Sequence, residues 1–406
     1  MISRRISAAL AGAVLLVACE PQRAAEQTTP PVARNTAVAA AAPTPVVALP
    51  DTVDASRPQS SYQPGRDTTF YIGRQRYRLL LRAETDSTKP LVAVTEGIVG
   101  PYYAEDTATF QVTHRVRGYE GGQTITLFDA AGRQVFRRRL GKADFYKAVG
   151  RDIVTVSAPE RPRFIGYHAP SQALVFTVPV GIPDSDVSRI CALTLGLDGR
   201  VRQLTAGRWT GGEGPDCEVK LLADGTVLNC EELRRPDGTS VRLKKPNATL
   251  IAALPLTDTT LFTLYRYGYY REVLGADSLK DYEWVADKHL RNSPNAFVLN
   301  TKGQIRQQFC YAGYYEVLDY EVPRRYVWQT HSYYLLDEAR GVHVLDKHNP
   351  ARVTEVRFQQ MQRFRKPQRP TEVRFVMGTE TARFAFYADP AQPTRLRYER
   401  IEAPGN

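Results

Sequence analysis

An all-β fold is expected from three features of this 406-residue sequence. Apolar residues alternate with polar ones at period two, as Phe70, Ile72, Tyr77, Leu79 and Leu81 do. Turns ending in glycine separate such runs, and glycine supplies the positive φ that tight hairpins need. Helical spacing is nowhere sustained: residues 142–149 and 278–290 are the candidates, and both are short.

The chain opens on Arg4 and Arg5, an apolar run over residues 6–17, and small Ala18 before a cysteine. A charged start, a short apolar stretch and a small residue at the cut describe a secretory signal over residues 1–18. That stretch is too short for a bilayer span, which needs ~20 apolar residues. Leu16-Val17-Ala18-Cys19 resembles the lipobox of bacterial lipoproteins, a likeness confined to roughly the first 20 residues. The resemblance implies that Cys19 receives a diacylglyceryl thioether, becomes the new N-terminus and is N-acylated. Two or more acyl chains give stable anchoring at about 0.8 kcal/mol per buried CH₂. Glu20 is not the aspartate of an inner-membrane retention signal, so the same likeness points to the outer membrane of the cell envelope.

Residues 19–66 follow as a tether. From Glu20 to Arg66 there are eight prolines, ten alanines, no aromatic before Tyr62, and four acids against four arginines. Such a segment buries too little apolar surface to offset its ordering entropy. A coil of that length reaches roughly 35–40 Å.

About 340 residues remain, more than one hydrophobic core usually takes. Residues 67–158 hold alternating strands and the hairpin Gln123-Thr-Ile-Thr-Leu-Phe128, Asp129-Ala-Ala-Gly132, Gln134-Val-Phe-Arg137. They are expected to form a small β-sandwich. In residues 159–402 the hairpin grammar recurs, with turn glycines at Gly199, Gly225, Gly238, Gly303 and Gly341. Gly268-Tyr269-Tyr270 returns as Gly313-Tyr314-Tyr315, 45 residues on, and Tyr282-Glu-Trp284 as Tyr326-Val-Trp328, 44 residues on. A period near 40–45 residues fits four-stranded propeller blades. The glycines are unevenly spaced, so two architectures stay open: a sandwich followed by a β-propeller-like domain, or tandem β-sandwiches.

Without Cys19, four cysteines remain: Cys191, Cys217, Cys230 and Cys310. An oxidising compartment favours pairing. If Asp224-Gly225 forms a two-residue loop, Val219 faces Cys230 and Cys217 lies one diagonal step away on the same face. Diagonal Cβ atoms are ~7–8 Å apart, against the ~3.8 Å of a disulfide, so twist or a bulge must close the gap. Cys217–Cys230 is the expected pair and Cys191–Cys310 follows by elimination; four free thiols are the alternative.

The formal charge is +11, and residues 352–400 hold eleven Lys/Arg against five Asp/Glu. That bias attracts polyanions, which outside the cytoplasm are acidic lipids or envelope glycans. Nucleic acid is not an expected partner of an exported protein. Hydrolase, metalloprotease and phosphate-loop motifs are missing, and the six scattered histidines propose no metal site; no cofactor is expected. Glu213 and Asp216, in a glycine-rich loop, are the carboxylates an enzyme reading would use.

The positive hint is aromatic. Residues 262–334 hold 17 of the 40 aromatic side chains. Tyr265, Tyr267 and Tyr269 share one face of a strand, with Arg266 and Gly268 on the other. Tyr270, Trp284, Tyr314, Tyr315 and Trp328 complete the candidate surface, with Arg266, Arg271, Arg324 and Arg325 nearby. Such rings stack on sugars or pack a partner, and equally fill cores. The expected function is lipid-anchored binding of an envelope glycan or protein. The alternatives are an exported glycan-directed hydrolase and a structural subunit of an envelope assembly.

Overall fold

The computed structural model describes residues 52–53, 62–99, 110–185, 187–210, 214–274 and 280–401. Cys19, the signal and most of the tether lie outside the described residues, as does Glu213. The protein is all-β. All seven sheets among the described residues contain antiparallel strands paired in chain order, and six of them have four strands or more.

The first runs Tyr62–Ile72, Gln75–Val99, Phe110–Phe128, Gln134–Gly141, and the second Arg163–His168, Ala173–Gly181, Ser188–Gly196, Val201–Thr210. The third is a small sheet of Lys220–Leu221, Val227–Leu228, Glu232–Arg234 and Ser240–Arg242. Ala248–Pro255, Thr260–Leu274, Ala296–Asn300 and Ile305–Phe309 make the fourth. The fifth is Arg324–Val327, Ser332–Asp337, Gly341–Asp346 and Val353–Arg357. The sixth joins Val373–Gly378, Arg383–Asp389 and Gln392–Ile401, with Gln362–Arg363 parallel at one edge. Four-stranded meanders in succession are the pattern of propeller blades.

The turn glycines sit where the hairpin grammar puts them. Gly132, Gly199, Gly225, Gly238 and Gly303 all have φ between 76° and 87°. Each donates its N–H to the carbonyl three residues back. Their uneven spacing has a simple cause: Gly199, Gly238 and Gly303 join the third and fourth strands of their sheets. Gly225 joins a first and second strand, and Gly341 a second and third.

The sheets stack face to face in chain order, and the side-chain period shows how. Leu174, Phe176, Val178 and Val180 point into a core shared with Leu79, Leu81, Ile125 and Leu127 of the first sheet. Between them Val175 faces the other way, onto Val219 and Val227 of the third. In the fourth sheet Leu261 and Tyr265 face the third, while Phe262 and Leu264 face the fifth. Tyr334, Leu336, Val342 and Val344 then meet Phe375, Phe384 and Phe386 of the sixth. A strand buried on both faces reads as a continuous apolar run rather than an alternation. That is why stretches such as Leu174-Val-Phe-Thr-Val and Leu261-Phe-Thr-Leu-Tyr break period two.

The first two sheets therefore share one core across the expected boundary at residue 158, and Leu49–Asn406 is one compact unit. The first sheet also starts before residue 67: Tyr62–Ile72 is a strand, and Thr52–Val53 pairs in parallel with His114 and Arg115. Residues 142–149 are helical as expected, a 3-10 turn and a short α-helix. Residues 278–290 differ: Lys280–Ala286 is a strand, followed by the 3-10 turn Lys288–Leu290. No helix among the described residues is long and apolar enough to cross a membrane.

Cys217 and Cys230 form a disulfide, with Cα atoms 5.5 Å apart. The route to it differs from the simple hairpin. Leu221 pairs with Val227, so the turn is one residue longer and Glu218 stands opposite Cys230 by extension. Cys217 has left the hairpin to pair in parallel with Ala253, and Cys230 takes a left-handed φ of 75°. The expected Cys191–Cys310 pair is corrected: Cys191 is a buried free thiol in the first core and Cys310 an exposed one in the fourth sheet's region. Elimination failed because strand stacking keeps these two cysteines in different layers. With a separation of 13 residues, loss of the disulfide by Cys217→Ala/Cys230→Ala is expected to cost about 3 kcal/mol in urea unfolding. A midpoint unchanged from wild type would contradict this.

Candidate functional site

The 15-residue strand Thr260–Leu274 does two jobs. From Leu261 to Leu264 it is paired on both sides within the fourth sheet, and Tyr265–Tyr267 keep Ala248–Leu250 as their strand partner. From Gly268 onward it pairs only with Lys280–Ala286, so the two form a hairpin that extends beyond the sheet. Gly268 marks the change with a φ of 151°.

Three side chains on one face of this hairpin make a stack. Tyr270 lies directly opposite Trp284, their ring centroids 5.0 Å apart and nearly perpendicular. Arg266 lays its guanidinium over the indole, 4.3 Å from the ring centroid. Gly268 lies between them in sequence. A Cβ there would come within 2.5 Å of Trp284 Cζ2, so the indole occupies the space a side chain would need. Cation–π stacking of this kind contributes roughly 0.5–2 kcal/mol and orients the ring.

Beside the hairpin lies a cavity of about 660 Å³, within the range that holds a drug-sized ligand. Its floor is built around Asn295. The Asn295 side chain donates to the Tyr265 and Tyr311 carbonyls at 3.0 and 2.8 Å and accepts from the Tyr311 N–H at 2.8 Å. Tyr267 lines one wall and donates its hydroxyl to the Pro294 carbonyl at 2.7 Å. Trp284 and Tyr314 contribute aromatic surface, the latter packed edge-on to Tyr320. Burial pushes the Tyr267 and Tyr314 phenols above their ordinary range, so both stay neutral near pH 7. Cys310 sits at the rim, its Sγ 3.7 Å from the Ser293 carbonyl.

The wall is electropositive. Arg266, Arg271, Lys288, Arg291 and Arg340 line it, against Glu283 and Asp287. Glu283 is paired with Arg271 at 2.8 Å. Asp287 caps the 3-10 turn by accepting the His289 N–H at 2.9 Å.

The expected aromatic surface is thus divided by the fold. Tyr265, Tyr267, Trp284 and Tyr314 line the cavity, although Tyr265 is fully buried, its hydroxyl donating to the Leu243 carbonyl at 2.6 Å. Tyr269 and Tyr270 are exposed on the hairpin and lie outside the lining. Tyr315 hydrogen-bonds Glu321, and Trp328 is 69% exposed at the start of a 3-10 turn. The sequence repeat does not become a structural one. Trp284 sits in a strand packed on Gly268, while Trp328 begins a 3-10 turn and the missing Cβ of Gly313 leaves room for the Leu336 carbonyl and the Tyr311 hydroxyl.

The carboxylate reading fares differently at its one described member. Asp216 accepts the Val322 N–H at 2.8 Å and is ion-paired with Arg324, pinning its loop to the segment before the fifth sheet. Arg324 is therefore no part of the basic wall. His331 and His348 have ring centroids 4.9 Å apart, whereas His343 is buried against Phe309 and Tyr311. Among the described residues no three His, Cys, Asp or Glu converge on a metal position. Sequence reading missed Lys288, Arg291, Arg340 and the Asn295 brace. Lys288 and Arg291 share one turn but Arg340 comes from another about 50 residues on, so no spacing joins the three; the Asp287-x-His289 cap was the one local signal.

No family model matches the chain, and neither does any curated protein. Among solved structures, it aligns with the β-propeller domain of the Trilobed protease from Pyrococcus furiosus, described as having an open velcro topology. The alignment has 8% identity and a TM-score of 0.25, over 84% of this chain and 95% of that one.

Proposed function

We propose that the protein is a lipid-anchored binding protein of the bacterial cell envelope, tethered to the outer membrane through Cys19, which captures a glycan in the cavity beside the Gly268–Ala286 hairpin. The observation that carries this reading is the convergence of Trp284, Tyr267 and Tyr314 on one 660 Å³ cavity. Aromatic rings offer the flat apolar faces on which sugar rings stack. The lipobox resemblance supports the anchor, and the composition of residues 20–66 supports a stalk that lets the folded part meet ligands off the membrane. The hydrolase reading is less favoured because the Asp216 carboxylate is already committed to Arg324 and the Val322 amide.

Two readouts test the proposal. In a Trp328→Phe background, an envelope oligosaccharide should change tryptophan emission with saturation, and Trp284→Phe should remove that signal. Wild-type protein should take up radiolabelled palmitate and sediment with outer membranes, and Cys19→Ala should do neither. Flat titrations across a glycan panel would end the binding proposal, and unlabelled mature protein would end the anchor.

A further inference from the structure

We infer that the ligand of this cavity is an acidic oligosaccharide, its carboxylates held by Arg266, Lys288, Arg291 and Arg340; this rests on the reading of the cavity as a glycan site. The argument is an inventory of what the wall has left to offer. Asn295 spends both its amide donors and its oxygen on backbone groups. The Tyr265, Tyr267 and Tyr311 hydroxyls each donate to a carbonyl within the protein, at 2.6, 2.7 and 2.7 Å. Glu283 and Asp287 are engaged with Arg271 and the His289 amide.

Four cations remain. Among the described residues, Arg266, Lys288, Arg291 and Arg340 form no ion pair. Lys and Arg side chains are donors with no acceptor capacity. A neutral sugar presents hydroxyls that need acceptors as well as donors, and this wall offers more donors than acceptors: its acceptors are phenol lone pairs and the second oxygens of Glu283 and Asp287. A ligand rich in acceptors and negatively charged meets it better, and guanidinium–carboxylate contacts are among the stronger hydrogen bonds. The five basic side chains against two acidic ones also raise the local concentration of anions in a concave site. The placement of the cations adds shape to the charge. Arg266 is fixed over the indole, so a sugar lying against the aromatic wall would carry its carboxylate toward that guanidinium. Lys288 and Arg291 stand together on the turn that follows the hairpin, and Arg340 reaches in from the fifth sheet's hairpin. Charges distributed along the rim suit a chain of uronic acids better than a single anion.

The test is a fluorescence titration of full-length Trp328→Phe protein with trigalacturonate, maltotriose and ADP at several sodium chloride concentrations. The expected result is saturable binding of trigalacturonate that weakens as salt rises, with maltotriose far weaker. Lys288→Gln and Arg291→Gln should each weaken trigalacturonate binding about tenfold, and Lys288→Arg should restore it. Both positions are exposed, so circular dichroism and melting should match the parent. Equal binding of maltotriose, indifferent to salt and to both glutamine variants, would overturn the acidic preference while the glycan reading stands. Binding of ADP alone, or of no probe, would overturn both.

Discussion

Replacing Gly268 with valine is expected to abolish ligand capture and to destabilise the protein by roughly 4 kcal/mol. Two effects add. A residue with a Cβ at φ 151° is strained, at a cost of about 1–3 kcal/mol. The new side chain also collides with Trp284 Cζ2 at 2.5 Å, and lies closer still to the Val285 carbonyl oxygen, which cannot rotate aside. Forcing atoms into a packed site costs about 1–3 kcal/mol more. Relief by displacing the indole would break the stack with Arg266 and Tyr270 and open the cavity wall. Urea unfolding and the Trp284 emission maximum would report the two effects separately. A variant with wild-type midpoint and emission would show that the indole does not need the space left by Gly268.

The second large effect is expected at Arg397. Its Nε donates to Glu372 Oε1 at 2.7 Å, its Nη2 pairs with Glu372 Oε2, and both residues are buried. The guanidinium also packs over Phe364, 5.0 Å from the ring centroid, beside Tyr387. Arg397→Met keeps the bulk and leaves the buried carboxylate only the half-exposed Arg369 at 3.9 Å, for which a loss of about 3–5 kcal/mol is expected. The companion Arg397→Met/Glu372→Met should recover most of it, because it is the unpaired charge that is costly.

The pH dependence follows in sign. Burial alone pushes the Glu372 carboxyl up, yet the Arg397 guanidinium and the Arg369 amide outweigh it and hold the group below its ordinary value. A lowered carboxyl stabilises the fold above the unfolded-state pKa, and that stability is lost as pH falls through the folded value. In Arg397→Met burial is opposed only by the Arg369 amide and charge, so the carboxyl rises relative to wild type and protonation relieves the variant. The gap between wild type and variant should therefore narrow on acidification, measured by melting at a series of pH values. A gap that widens or stays constant would contradict the account.

Legibility in the sequence followed locality. The turn glycines and the strand character are encoded within about a dozen residues and appear where local rules put them, whereas the Cys217–Cys230 pair forms by a shifted register and a strand contact to Ala253. The division of the eight expected aromatic and binding side chains was not legible. Tyr265, Tyr267 and Tyr269 do share a strand face, yet the first is buried, the second half-buried and the third exposed. That gradient arises because the same strand leaves its sheet at Gly268, and period two says nothing of where a neighbouring sheet ends. The 45-residue repeat misled for a related reason: its second copy falls in the small hairpin Tyr315–Glu316 with Tyr320–Glu321, and not in a matching strand.

By itself, the order of residues determined that this chain would be all-β and where its hairpins turn, because those outcomes depend on near neighbours and on the alternation of one strand. Only the tertiary structure decided that sheets stack in chain order with both faces buried, that Cys191 and Cys310 stay apart, and that Arg266, Lys288, Arg291 and Arg340 converge on one cavity. Those depend on how sheets pack across distances in sequence that no local period spans.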